Sequence, residues 1–101
     1  EAEVARLFTM RSLSMVRRGI NPPYEVSSEK VWGPEFQVKA TETASQIMGD
    51  YHQLWEGEMA PSEGAFPRQY VGAMVSTFGH GSTQVMRNAI ASRGLGLPKS
   101  R

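Results

Sequence analysis

FPRQYVGAMVSTFGHGSTQVMRNAIASRGLGLP, residues 66–98, reads as two short helices joined at Gly79-His80-Gly81. Pro67 opens the first, because a missing N–H does no harm in a first turn. Val71, Met74, Val75 and Phe78 then fall at i, i+3, i+4 and i+7, one face of a 3.6-residue period. After the glycine turn, Ser82 or Thr83 caps a second helix. Val85, Met86, Ala89 and Ile90 form its apolar stripe. Arg93 followed by Gly94 puts a cation and a stop where a helix should end. The predicted helices are Arg68–Phe78 and Ser82–Arg93, with residues 94–101 as a flexible tail.

Upstream, Glu58 to Gly64 is a loop marked by Pro61 and Gly64. Before it, Phe36, Ala40, Ala44, Ile47, Met48, Tyr51, Leu54 and Trp55 make one long stripe. Gly33-Pro34-Glu35 looks like the start of that helix, and Gly57 its end, so a long helix is predicted over Pro34–Glu56. Residues 24–32 lack both alternation and a pairing partner and read as irregular. Ala2 to Arg18 has helical composition, stopped by Gly19 and Asn21-Pro22-Pro23. Its apolar residues spread over two sides, Val4, Leu7, Phe8 and Met15 on one, Met10 and Leu13 elsewhere. Such a helix packs on two neighbours, the second being the domain's own core or another subunit.

The expected fold is therefore all-α: a single domain over residues 1–101, a small bundle of about four helices with an irregular Pro-rich segment after the first. The expected core is Leu7, Phe8, Ile47, Met48, Tyr51, Leu54, Trp55, Val71, Met74, Val75, Phe78, Val85, Met86 and Ile90.

Composition narrows the chemistry. The chain has 101 residues and no cysteine, which removes disulfides, thiolate nucleophiles and cysteine metal sites together. No apolar run approaches the roughly 20 residues that span a bilayer, so no membrane partner is expected. A chain opening on Glu1 is expected to be a processed product or a fragment. His52 and Glu56 lie one helical turn apart, but two ligands on one face make no metal site. Ser76, Ser82, His52, His80 and Asp50 show no nucleophile-elbow pattern. No cofactor motif is present, and the glycine turn lacks the spacing and the lysine of a P-loop. The expectation is no catalytic residue, no metal and no cofactor.

Charge is the more informative property. The net value is +1, but it is unevenly spread. Residues 40–63 hold Glu42, Asp50, Glu56, Glu58 and Glu63 without a lysine or arginine. From residue 64 onward stand Arg68, Arg87, Arg93, Lys99 and Arg101 without an acid. Opposite-sign segments can attract another copy head to tail. Arginine's forked guanidinium also suits phosphates and base edges.

These features point to a non-enzymatic, nucleic-acid-associated assembly protein of coat or nucleocapsid type, working as a homo-oligomer. Arg87, Arg93, Lys99 and Arg101 would contact phosphates, with Arg17 and Arg18 adding to them. Gly79, His80, Gly81 and Ser82 would form an anion-binding turn at a helix N-terminus. Two alternatives stand beside this. Residues 69–91 resemble a helix-turn-helix, although the turn is too long by about two residues. A module that receives a partner's helix in a groove, with Trp32 as anchor, is the other.

Overall fold

The computed structural model describes residues 1–79 and 81–99. Among them there is no strand. Four α-helices run as α1 (Ala2–Arg17), α2 (Glu25–Met48), α3 (Ala65–Ser76) and α4 (Thr83–Ala89). A tight 3₁₀ turn, Gly49–Gln53, follows α2, and a second, Pro61–Gly64, precedes α3. The end of α4 widens into a π turn over Ile90–Gly94. No helix of the described residues is long and apolar enough to cross a membrane.

The all-α class is as the periodicity predicts, but the organising element is α2. Helices α1, α3 and α4 each pack on α2, and among the described residues they do not pack on one another. The start of α2 corrects the expected irregular segment. This helix begins at Glu25 and runs straight through Gly33 and Pro34. Proline inside a helix lacks its N–H and crowds the preceding turn, at a cost of about 3 kcal/mol. Contacts of the extra turns with α1 offset it. The Trp32 ring lies 6.3 Å from that of Phe8, and Thr9 Oγ1 donates to Glu29 Oε1 at 2.7 Å. Arg11 Nη2 donates to the buried Glu25 at 3.2 Å. In sequence, a proline within a helix and a proline that opens one look alike.

The far end is corrected too. Instead of reaching Glu56, α2 stops at Met48, because Gly49 takes φ +56° and turns the chain. The stripe Tyr51, Leu54, Trp55 continued the helical spacing by coincidence. The other boundaries shift by a turn or less. Helix α1 closes as expected at Gly19, with Ile20 N–H donating to Met15 O at 2.9 Å and Gly19 N–H to Val16 O at 3.0 Å, a Schellman closure. Helix α3 starts two residues before Pro67, which sits harmlessly in its first turn.

The expected core does not close. Leu7, Ile47, Tyr51, Trp55, Val71, Met74, Val75, Phe78 and Val85 are all exposed, and among the described residues the buried apolar side chains are the small ones of Ala60, Pro67 and Ala73. Phe8, Met48, Leu54, Met86 and Ile90 are half-buried. Shape explains this. The molecule is a slab of 52 × 34 × 20 Å with a radius of gyration of 17.1 Å, against about 13 Å for a compact chain of this length. Its accessible surface is 7386 Å², about 1,700 Å² more than a closed globule of this mass would expose. Helices gathered around one central helix leave an apolar flank on each outer side.

Candidate functional site

The expected cations do not form one surface. Arg87 Nη2 donates to Glu35 Oε1 of α2 at 2.6 Å, so this guanidinium is tied to the chain's own carboxylate. Arg93 is exposed in the π turn, beside Gly94, where an added Cβ would lie 3.1 Å from the ring of Tyr24. Lys99 lines a shallow pocket of about 310 Å³ with Asn88, Ala91, Ser92, Leu97 and Pro98. Helix α1 does not pack on α4 among the described residues; Arg17 ends α1 and Arg18 is its C-cap. They border a groove of about 400 Å³ together with Met10, Leu13 and Ser14. Arg101 lies outside the described residues.

At the glycine turn, the N–H groups of Gly79, Thr83 and Val85 are already engaged. Gly79 N–H donates to Val75 O at 2.9 Å and Thr83 N–H to Thr77 O at 3.1 Å. Ser82 Oγ accepts from Val85 N–H at 3.4 Å as the cap of α4. Gly81 has φ +105°, a left-handed conformation that glycine adopts without strain. The helix it opens has seven residues. His80 lies outside the described residues.

Three features escaped the sequence reading. The first is the seam between α1 and α2. Glu25 is buried; burial pushes its pKa up, but bonds from its own N–H, the Tyr24 N–H and Arg11 outweigh this and leave the carboxyl below its ordinary value. Nothing in the sequence marks a pair fourteen residues apart. A catalytic base needs the opposite tuning, with the pKa raised toward neutrality. The second is Lys30, whose Nζ donates to Ser76 O at 2.6 Å. A cation there satisfies a carbonyl at the C-terminus of α3 and complements its dipole.

The third is the loop between α2 and α3. Ser62, Glu63 and Gly64 are consecutive left-handed residues, at φ 49°, 55° and 74°. Gly64 presses on the main chain of Trp55, where a Cβ would lie 2.6 Å from the carbonyl carbon. Arg68 ties both ends of the loop, donating to Glu63 O at 2.7 Å and to Trp55 O at 3.3 Å. Its guanidinium also stands 5.9 Å from the Trp55 ring centre. Thus residues 54–64 form a closed knob carrying exposed Trp55 and Met59 among Glu56, Glu58 and Glu63. Because α2 ends early, His52 and Glu56 no longer share a helix face. His52 instead meets Tyr70 edge-on at 5.4 Å.

This arrangement does no bond-making chemistry that the described side chains reveal; it presents apolar and charged surfaces. Comparison with known proteins says what kind of protein presents them. The family described as acyl-CoA dehydrogenase, C-terminal domain, matches residues 1–95. A chain in the crystal structure of the ChsE4-ChsE5 complex from Mycobacterium tuberculosis superposes with a TM-score of 0.87 at 28% identity. The match covers 98% of this chain and 26% of that one, so this chain spans about a quarter of its structural neighbour. No curated protein matches the sequence.

These findings overturn the reading as a nucleic-acid-associated coat protein, along with its regulator alternative: the fold is that of a metabolic enzyme family. The physical reason agrees. Uneven charge along a sequence does not imply a cationic surface, and here Arg87 is neutralised by Glu35 while Arg17 and Arg18 stand at the end of another helix. The expectation of a non-enzymatic role has no support either, since the family is one of enzymes. With residues 1–95 matched and the fold shared almost end to end, the chain belongs to the acyl-CoA dehydrogenase C-terminal domain family.

Proposed function

We propose that this chain is the helical C-terminal portion of an acyl-CoA dehydrogenase-type enzyme and works there as an assembled subunit, its apolar flanks covered by neighbouring protein. The observation that carries this is the coincidence of the family match over residues 1–95 with a fold that leaves Leu7, Leu13, Val71, Val75 and Phe78 exposed. An apolar surface of this extent marks a contact with other protein. The structural neighbour is a complex of two chains, and association of this chain with another is the corresponding reading.

Removing two hydrogens from an acyl thioester requires a proton acceptor and a two-electron acceptor, a flavin or a nicotinamide being organic groups that take a hydride. The described residues fit neither role alone. Glu25 is committed to Arg11 with a lowered pKa, and the N–H groups of Gly79, Thr83 and Val85 beside the glycine turn are engaged. In this reading the reacting groups come from other parts of the enzyme, and this chain shapes and closes the structure around them.

The test is acyl-CoA-dependent reduction of an electron-accepting dye by the protein purified with its associated chains. Turnover is expected, and it should fall when Leu7→Asp or Phe78→Asp places a charge on either flank while helix content is kept. A protein that reduces no dye with any acyl-CoA chain length would refute the proposal.

A further inference from the structure

We propose that the part of α2 before Pro34, with its cap (residues 24–33), is a joint. It is helical only while α1 and α4 dock on it, and so it couples two helices that do not touch. Its own sequence gives little reason for a helix. Val26 and Val31 are β-branched, Ser27 and Ser28 compete for backbone groups, and Gly33 precedes a proline, where the helical conformation is disfavoured. Pro34 brings no N–H to the carbonyl of Lys30, one turn back, and its ring crowds that carbonyl. The support comes from elsewhere in the chain. Helix α1 supplies Arg11 to buried Glu25 at 3.2 Å, Thr9 to Glu29 at 2.7 Å and the Phe8 ring to Trp32. Beyond Pro34, α1 adds the 3.8 Å pair of Glu1 with Lys39. From the other end of the chain, the π turn after α4 brings Gly94 against Tyr24, the N-cap residue of α2, leaving no room for a Cβ without a shift of the ring. The Arg87–Glu35 pair, one residue past Pro34, fixes the middle of α4.

Among the described residues α4 packs on neither α1 nor α3, so α1 and α4 lean on the same stretch of α2. At seven residues α4 is too short to stand alone, since isolated helices below about 12–15 residues are marginal in water. When residues 24–33 unwind, the Tyr24 contact goes and α4 melts with them. The half of α2 after Pro34 has separate support. Helix α3 lies along it, from Tyr70 beside His52 just past its end to Ser76, whose Oγ donates to Gln37 Oε1 at 3.5 Å. The proline removes a ladder bond where the two halves meet, so the first opens while the second stays wound. An element with two states, biased from two sides, is what physical coupling requires. Whatever draws α1 off α2 then loosens α4, and reciprocity makes the converse hold.

Amide hydrogen exchange on the full chain, under conditions where it reports the opening equilibrium, tests the joint. In the wild type, residues 29–33 and Met86–Ala89 should be protected at least about tenfold less than residues 39–46. Their exchange should also rise less steeply with urea, because a partial opening exposes less surface. Arg11→Met takes a bond from Glu25 and should lower protection of residues 29–33 at least about fivefold. Met86–Ala89 should lose protection by the same factor, although α1 does not pack on α4. Thr9→Val, which drops the Glu29 bond, is the milder form, with about a twofold loss in both groups. Thr41→Gly removes a buried side chain from the second half. It should lower protection of residues 39–46 at least about fivefold and leave the other two groups unchanged. One protection level and one urea slope along all of α2, an Arg11→Met effect that stops short of α4, or a Thr41→Gly effect equal in both halves overturns the joint. The readout needs no substrate, so either result leaves the acyl-CoA reading to its own test.

Discussion

Replacing Gly64 by alanine should unlock the loop between α2 and α3. Gly64 has φ +74°, and an added Cβ would meet the main chain of Trp55, 2.6 Å from its carbonyl carbon and 2.9 Å from its Cα. Two effects combine. The left-handed backbone costs alanine about 1–2 kcal/mol. The collision is with main chain, which cannot rotate away as a side chain does, and forced shifts of this kind cost about 1–3 kcal/mol more. Gly19→Ala separates the two effects. Gly19 has φ +71°, nearly the same backbone, and no atom within 4 Å of an added Cβ. The control should therefore lose about 1–2 kcal/mol and Gly64→Ala about 2–5 kcal/mol. Thermal unfolding followed by circular dichroism measures both. One kcal/mol moves the midpoint of a chain this size by about 4–8 °C, so Gly64→Ala should melt at least about 4 °C below Gly19→Ala. Equal losses in the two variants would refute the claim that the Trp55 contact holds the loop closed.

Three further substitutions probe the helices that carry the surfaces. Pro34→Ala restores an N–H inside α2 and should raise stability by about 2–2.5 kcal/mol in a denaturant titration, the roughly 3 kcal/mol interior penalty being partly cancelled by the greater freedom of the unfolded chain. Lys30→Met keeps much of the stem but abandons Ser76 O, and should cost about 1–2 kcal/mol, with earlier hydrogen exchange at the last turn of α3. Glu25 has a pKa below its ordinary value of 4.5, so its contribution is whole above that value and disappears as pH falls through the lower folded pKa. Glu25→Gln should lower stability at pH 7 and flatten the acid limb of the stability profile; an unchanged acid limb would show that the bonds from the Glu25 and Tyr24 N–H groups and Arg11 do not hold this carboxylate in solution.

How much of this was legible beforehand depended on whether the signal was local. The end of α1 at Gly19, the capping of α4 by Ser82 and the all-α class follow from glycine, serine and apolar spacing, each acting within a few residues. The length of α2 was not legible, because it was decided by competition. Pro34 reads as a start until α1 offers Phe8, Thr9 and Arg11 to the turns before it. At the other end, Gly49 broke a stripe whose apolar spacing ran on to Trp55.

The site was less legible still. Sequence placed basic residues late in the chain and acidic ones in the middle, and both observations stand. It could not say that Arg87 would meet Glu35, that Arg68 would fasten a loop, or that Arg17 and Arg18 would be left beside an apolar groove. Charge is carried by a residue, but a charged surface is made by folding, which brings some pairs together and leaves others open to solvent.

By itself the sequence determined four amphipathic helical segments, their main punctuation and the supply of apolar side chains. Only the tertiary structure decided that those side chains would not close a core. Periodicity shows that a helix has an apolar face, yet it is silent about how many neighbours arrive to cover it. Here α1, α3 and α4 all settle on α2, and the faces turned away from it remain open for other protein to cover.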